Sequence, residues 1–291
     1  MRRSLLTAAA LCALSCTPKN PASTPTPVNP PAGPPAAPPP PPAAPGAIRL
    51  GPSALRYIAH QTLHAEQQLP GQATQIIERG TKLFLTATIV GPADSLGYRL
   101  TLTVDSVALD SGTTLPPNID LSAARRLVYD GRVTPWGIAT IALVSDTARA
   151  APFVQLLDLL RTFYPQLPVT GLIPGAHWTD TVTTTDRMFI DVTRRAVRNA
   201  RTGTWEERNG IRALGIDMSS TYEVSGKATQ SNQPVEVAGS GTETTRYFLA
   251  SDGRYLGSEG KDSASITITF PYQTATIPAN RVLRSTIIAQ P

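Results

Sequence analysis

The chain predicts a mainly β, α+β fold: two antiparallel β regions, either a duplicated curved sheet or a half-barrel, joined by one central helix. Three observations predict it. Apolar and polar residues alternate in run after run, the period of a half-buried strand. Asp-Gly and Asn-Gly pairs, which supply the backbone that tight hairpins need, punctuate those runs. One stretch near the middle, residues 152–163, repeats at helical spacing instead.

The first β region covers residues 53–150. Residues 55–64, with Tyr57, Ile58 and Thr62, read as a strand closed by a turn at Leu69-Pro70-Gly71. Over 82–90, Leu83, Leu85, Ala87 and Ile89 share one face, and Gly91-Pro92 ends the run. Over 98–109, Tyr98, Leu100, Leu102 and Val104 share a face. Ser122 opens a helical turn, Asp130-Gly131 reads as a hairpin turn, and 137–144 is the next strand.

The helix follows. Phe153, Leu156, Leu157, Leu160 and Phe163 fall at i, i+3, i+4, i+7 and i+10, one apolar stripe. Pro152 suits a first turn, where its missing N–H has no partner to lose. Pro165 and Pro168 stop the helix and force an extended path. Each large side chain of the stripe gains roughly 1.5–3 kcal/mol on burial, so the helix is expected to dock on a sheet.

The second β region covers residues 176–289. Strands are expected at 179–185 and 188–200, with Asn209-Gly210 as the strongest short hairpin signal and 211–225 returning from it. Residues 235–250 form a long strand in which Gly239 and Gly241 suggest a bulge or bend. Asp252-Gly253 turns it into 255–261, and 264–270 and 281–289 complete the set. Tyr129-Asp130-Gly131-Arg132-Val133 and Ser251-Asp252-Gly253-Arg254-Tyr255 suggest a duplicated unit, their glycines 122 positions apart.

Residues 1–16 carry the marks of an export signal. Met1-Arg2-Arg3 is basic, residues 4–13 are mostly apolar, and the run is far shorter than the ~20 residues of a spanning helix. It ends at Ala13-Leu14-Ser15-Cys16, which resembles the lipobox of bacterial lipoproteins. That resemblance implies lipidation of Cys16, a membrane as partner and, with Thr17 next, the outer membrane of the cell envelope. Ala13 departs from the Leu that the family prefers there. Residues 17–47 follow with one charge, Lys19, no aromatic residue and 14 of the 28 prolines. Such a segment cannot bury enough apolar surface to offset its ordering entropy, and it reads as a disordered tether. In polyproline II form it reaches about 90 Å at ~3.1 Å per residue.

That leaves residues 48–291 as the globular domain. Both cysteines, Cys12 and Cys16, precede it, so it has no disulfide, thiol nucleophile or thiolate metal site. The net charge of +5 is inflated by Arg2, Arg3 and Lys19; from residue 48 onward 23 basic residues face 21 acidic ones. This is no nucleic-acid footprint. The local run Arg194, Arg195, Arg198 and Arg201 reads as a solvated strand face, with anionic lipid or polysaccharide as the alternative.

Phe163-Tyr164-Pro165-Gln166-Leu167-Pro168 followed by Gly175-Ala176-His177-Trp178 resembles the F-x-x-L-P…G-x-x-W junction of a loose, uncharacterised family of exported bacterial lipoproteins, mostly β. The resemblance implies architecture and address, with no activity attached. The residues themselves read as a rigid crossing capped by an indole that plugs the core.

Convergent chemistry is scarce. His60 and His64 lie i, i+4, a zinc spacing on a helix, but on a strand they sit about 13 Å apart. The sequence has no H-E-x-x-H, no nucleophile elbow, no phosphate loop and no dinucleotide fingerprint. Asp180, Asp186 and Asp191 support no carboxylate pair on sequence alone. The expectation is therefore a non-enzyme without metal or cofactor. It would bind a lipid or other apolar ligand between sheet and helix, with Phe153, Leu157, Leu160 and Trp178 lining the cleft. The alternative is a structural or scaffolding envelope protein with a solid core, whose partner is another envelope protein; a third reading is a hydrolase with an unrecognised site.

Overall fold

The computed structural model describes residues 46–113, 120–153, 159–187, 191–230, 233–273 and 275–290. The expected signal, Cys16 and nearly all of the expected tether lie outside them, as do Leu156 and Leu157.

The fold is mostly β. Eleven strands are named in chain order: β1 (Ser53–Gln67), β2 (Gln75–Asp94), β3 (Gly97–Leu109), β4 (Val128–Val133), β5 (Ala139–Val144), β6 (His177–Arg187), β7 (Asp191–Arg208), β8 (Ile211–Gln230), β9 (Gln233–Ala250), β10 (Tyr255–Phe270) and β11 (Ala275–Gln290). They form a single antiparallel sheet ordered β5-β4-β3-β2-β1-β11-β10-β9-β8-β7-β6. The expected pair of regions joined by a helix is therefore corrected. β1 and β11 pair in register from Arg56↔Gln290 to Gln67↔Ala279, and this ladder joins the halves. Residues 145–176 run instead between β5 and β6, the two edges of the sheet.

The expected helix, 152–163, is described only at its ends. A short α1 (Thr147–Ala150) is capped by Asp146, whose carboxylate accepts the Arg149 N–H. Pro152 falls in a 3-10 turn, Ala151–Phe153, and helical backbone recurs at 159–161. The middle of the expected helix lies outside the described residues. Its apolar end behaves as expected: Leu160 and Phe163 are fully buried.

The sheet curls because one face is loaded with large side chains. Leu83, Leu85, Ala87 and Ile89 of β2 and Leu100, Leu102 and Val104 of β3 are all at most 3% exposed, the faces the alternation predicts. One core cluster contains them together with Tyr129 and Val133 of β4, Leu214 and Ile216 of β8, and Leu160, Phe163, Tyr164, Leu167 and Leu172 of the 145–176 segment. β4 and β8 are seven places apart in the strand order. A flat sheet would separate them by about 34 Å at ~4.8 Å per strand. A shared core therefore requires the sheet to wrap around the connecting segment.

Hydrogen bonds stitch that segment in place at one end. Ile48 and Leu172 exchange backbone bonds of 2.8 Å each, and the Leu167 N–H donates to the Trp136 carbonyl at 2.8 Å. Gly137, at φ +86°, lets the chain pass: a Cβ there would sit 1.8 Å from the Pro165 carbonyl oxygen. The residues leading into β1 close the same end, with the Leu50 N–H donating to Pro135 O at 2.8 Å and Gly51 N–H to Gly253 O at 3.1 Å.

Turns divide into two outcomes. Asn209-Gly210 links β7 and β8 with both residues at positive φ, and Asp252-Gly253 links β9 and β10. Asp130-Gly131, however, lies inside β4, at a register shift against β5. Gly131 is there because a Cβ would meet Thr140 O at 2.0 Å. The two Asp-Gly-Arg sites are thus not equivalent, and they do not support a duplication. Gly91-Pro92 likewise falls inside β2.

Candidate functional site

The inner faces of the two halves differ in residue size. On β1–β4 the face is filled by Leu, Ile, Val and Tyr. On β7–β10 it carries Ala196, Ala200, Ser220, Gly239, Gly241, Thr245, Gly260 and Ala264, which the ladders bring side by side. A cavity of ≈ 260 Å³ lies between the connecting segment and the sheet; of these small residues Ala196 and Thr245 line it, with Ala59 and Gln61 of β1 and Ser285 and Ile287 of β11. Leu159, Phe163, Tyr164 and Gln166 of the connecting segment form one wall. Val182, Arg194, Arg198, Met218, Glu243 and Asp262 are among the residues of the sheet wall.

The polar residues of this wall are pinned to each other. Arg198 donates from Nε and Nη2 to both carboxylate oxygens of Asp180, at 2.8 and 2.7 Å, and from Nη2 to Gln166 Oε1 at 2.5 Å. Planar, two-pronged donation of this kind fixes the guanidinium. Arg194 donates to Glu243 at 2.6 Å and lies 3.9 Å over the Tyr222 ring. Tyr222 donates its hydroxyl to Asp262 at 2.5 Å, and Arg281 approaches the other Asp262 oxygen at 3.5 Å. Burial first, and then the Asp262 hydrogen bond, raises the Tyr222 pKa. Burial also raises Tyr164 and Tyr247, so each phenol stays protonated.

The glycines expected to bend β9 do something else. β9 keeps its register through Gly239 and Gly241 against both neighbours. A Cβ on Gly241 would fall 2.3 Å from the Tyr222 ring. The glycine is the space into which that ring folds, and the ring in turn supports Arg194.

The arginine run divides by strand parity. Arg194 and Arg198 face inward with Ala196 and Ala200, whereas Arg195 and Arg201 are exposed on the other face. The expected solvated face therefore holds for only half of the run. Both faces carry arginine, so alternation could not tell them apart. The readable signal was the pair of alanines between and after the inward arginines.

Of the four expected cleft residues, Phe153 is half-buried and packs against the main core, and Leu160 lies wholly within it. Leu157 lies outside the described residues. Trp178, half-buried on β6, packs on the same core and borders a second, open cleft of ≈ 780 Å³ with His177, Arg201, Asp217 and Arg246. Below the cavity, Tyr57, Phe163, Tyr164 and Tyr255 form an aromatic cluster with ring centroids 5.0–5.9 Å apart. It fills the space that a deeper apolar cleft would need.

His60 and His64 lie on β1, where strand geometry keeps them apart. His60 Nε2 is 2.7 Å from Asp110, and His64 bridges Glu66 and Glu78 at 3.3 Å each. Among the described residues no group of three His, Cys, Asp or Glu could hold a metal ion.

No family model matches the chain, and no curated protein matches it either. Among solved structures, the crystal structure of Pseudomonas aeruginosa OccK2 (OpdF) is similar at 8% identity over 82% of this chain and 98% of that one, with a TM-score of 0.29. The same protein in complex with glucuronate gives 9% identity over 84% and 99% of the two chains, with a TM-score of 0.21. Likeness this loose carries no argument about what the chain does.

Proposed function

We propose that the chain is a non-catalytic binding protein of the bacterial cell envelope. A lipid on Cys16 anchors it, residues 17–47 hold the domain off the membrane, and the inner-face cavity takes its ligand. The observation that carries the reading is the cavity itself, walled by pinned charges on the sheet and by Leu159, Phe163 and Tyr164 of the connecting segment. Pre-oriented polar groups beside an apolar wall are the usual makeup of a small-molecule site. A volume of ≈ 260 Å³ is at the low end for such sites, which favours a small molecule with polar groups over a lipid chain. The apolar ligand expected from the sequence has less support, because Leu160, Phe163 and Tyr164 occupy the depth it requires.

A scaffold role is the second reading. It is favoured by the fact that Arg194, Arg198, Glu243 and Asp262 each already have a protein partner. Native mass spectrometry of the purified protein, with solvent extraction, separates the two. The binding role predicts a co-purifying small molecule that is lost in A196L while circular dichroism is unchanged. A clean apo mass in the parent protein leaves the scaffold role.

A further inference from the structure

We propose that β6 is a dimer seam, pairing antiparallel with β6 of a second copy of this chain. Among the described residues β6 has β7 as its one neighbour in the sheet, so its outer row of N–H and C=O groups has no ladder partner. Exposed edges are normally blunted by shortness, proline, lysine, bulges or an inward-pointing charge. The opposite edge, β5, follows that rule: it is six residues long and its register shifts at Asp130/Gly131. β6 lacks the first four of these devices. It runs eleven residues, HWTDTVTTTDR, without proline, glycine or lysine, and it pairs with β7 without a shift. Its inward charge at Asp180 is already neutralised by Arg198.

A second copy fits this edge better than an arbitrary strand. Continuing the sheet with like faces together requires residues of equal parity to meet. Full overlap of His177–Arg187 with itself then sets Val182 opposite Val182. Thr181 meets Thr183, Thr179 meets Thr185 and Asp180 meets Thr184. Threonine pairs across a ladder are favourable and no two acidic residues meet; at the ends Trp178 meets Asp186 and His177 meets Arg187. Val182 and Thr184 also line the cavity, so the seam would set the two cavities beside each other.

The register is directly testable. Directly opposed residues have Cα atoms about 4.5 or 5.5 Å apart, both within reach of a disulfide. In the full chain with C12S and C16S, V182C should form a disulfide-linked dimer on mild oxidation. T179C places its two thiols about 20 Å apart and should not. Sedimentation should give a dimer mass for the parent protein and a monomer mass for V182P. Absence of a V182C cross-link overturns the proposal whatever the parent mass. Equal cross-linking of V182C and T179C overturns it too, because the contact would then lack the register.

Discussion

Tyr222 and Gly241 show how a site can depend on an absent side chain. The ring lies where a Cβ on Gly241 would be, 2.3 Å from the phenol, and carries the Arg194 guanidinium at 3.9 Å. G241A should cost roughly 1–3 kcal/mol, the usual penalty of overpacking, as read from the urea midpoint. In the sequence, Gly239-Ser240-Gly241 was visible as an anomaly in a strand, but its cause sits 19 residues away from Gly241 on β8, beyond any local pattern. A second residue prediction concerns pH. Asp110 is held below the usual carboxylate range chiefly by its hydrogen bond with His60, and then by Lys82. With the folded value depressed, its contribution is complete above the unfolded value near 3.8 and is lost as pH falls through the folded one. The gap in urea midpoint between parent and D110N should therefore persist at pH 6 and close on acidification. A gap that grows on acidification would refute the assignment.

At the scale of elements, strands were legible because burial on one face imposes a period of two. β2 and β3 bury the side chains that the alternation selects. Gly-based turns were legible only where the chain reverses: Asn209-Gly210 does, while Gly131 answers a carbonyl approach from β5 that no neighbouring residue reveals. The 145–176 segment was legible as apolar, but its role depends on strands far away in sequence. Phe163 contacts Tyr57 and Tyr255, 106 and 92 positions away, with centroids at 5.0 and 5.5 Å. Fully buried there, it makes F163A a cavity-forming change expected to cost about 3–5 kcal/mol. If the segment were a loosely docked lid, chemical denaturation would instead show well under 1 kcal/mol.

For the whole molecule, the joining of halves was the feature the sequence concealed. Nothing in β1 or β11 states that residue 57 will pair with residue 289, because a ladder's partner is chosen by the global fold. The proposed tether and anchor belong to this scale as well. C16A is expected to move the protein out of the membrane fraction and to abolish palmitate incorporation; retention in the membrane fraction, with no label in the parent either, would contradict the anchor.

The central claim is that one sheet, sealed along β1 and β11, wraps the buried residues Leu160, Phe163, Tyr164, Leu167 and Leu172 of the connecting segment. Hydrogen exchange followed by mass spectrometry at rising urea tests it most directly, since exchange reports the cooperative unit to which each amide belongs. The account predicts that peptides from β2–β3, from β8–β9 and from residues 163–172 lose protection together, in one transition. Two separate transitions, one for each half of the chain, would contradict it.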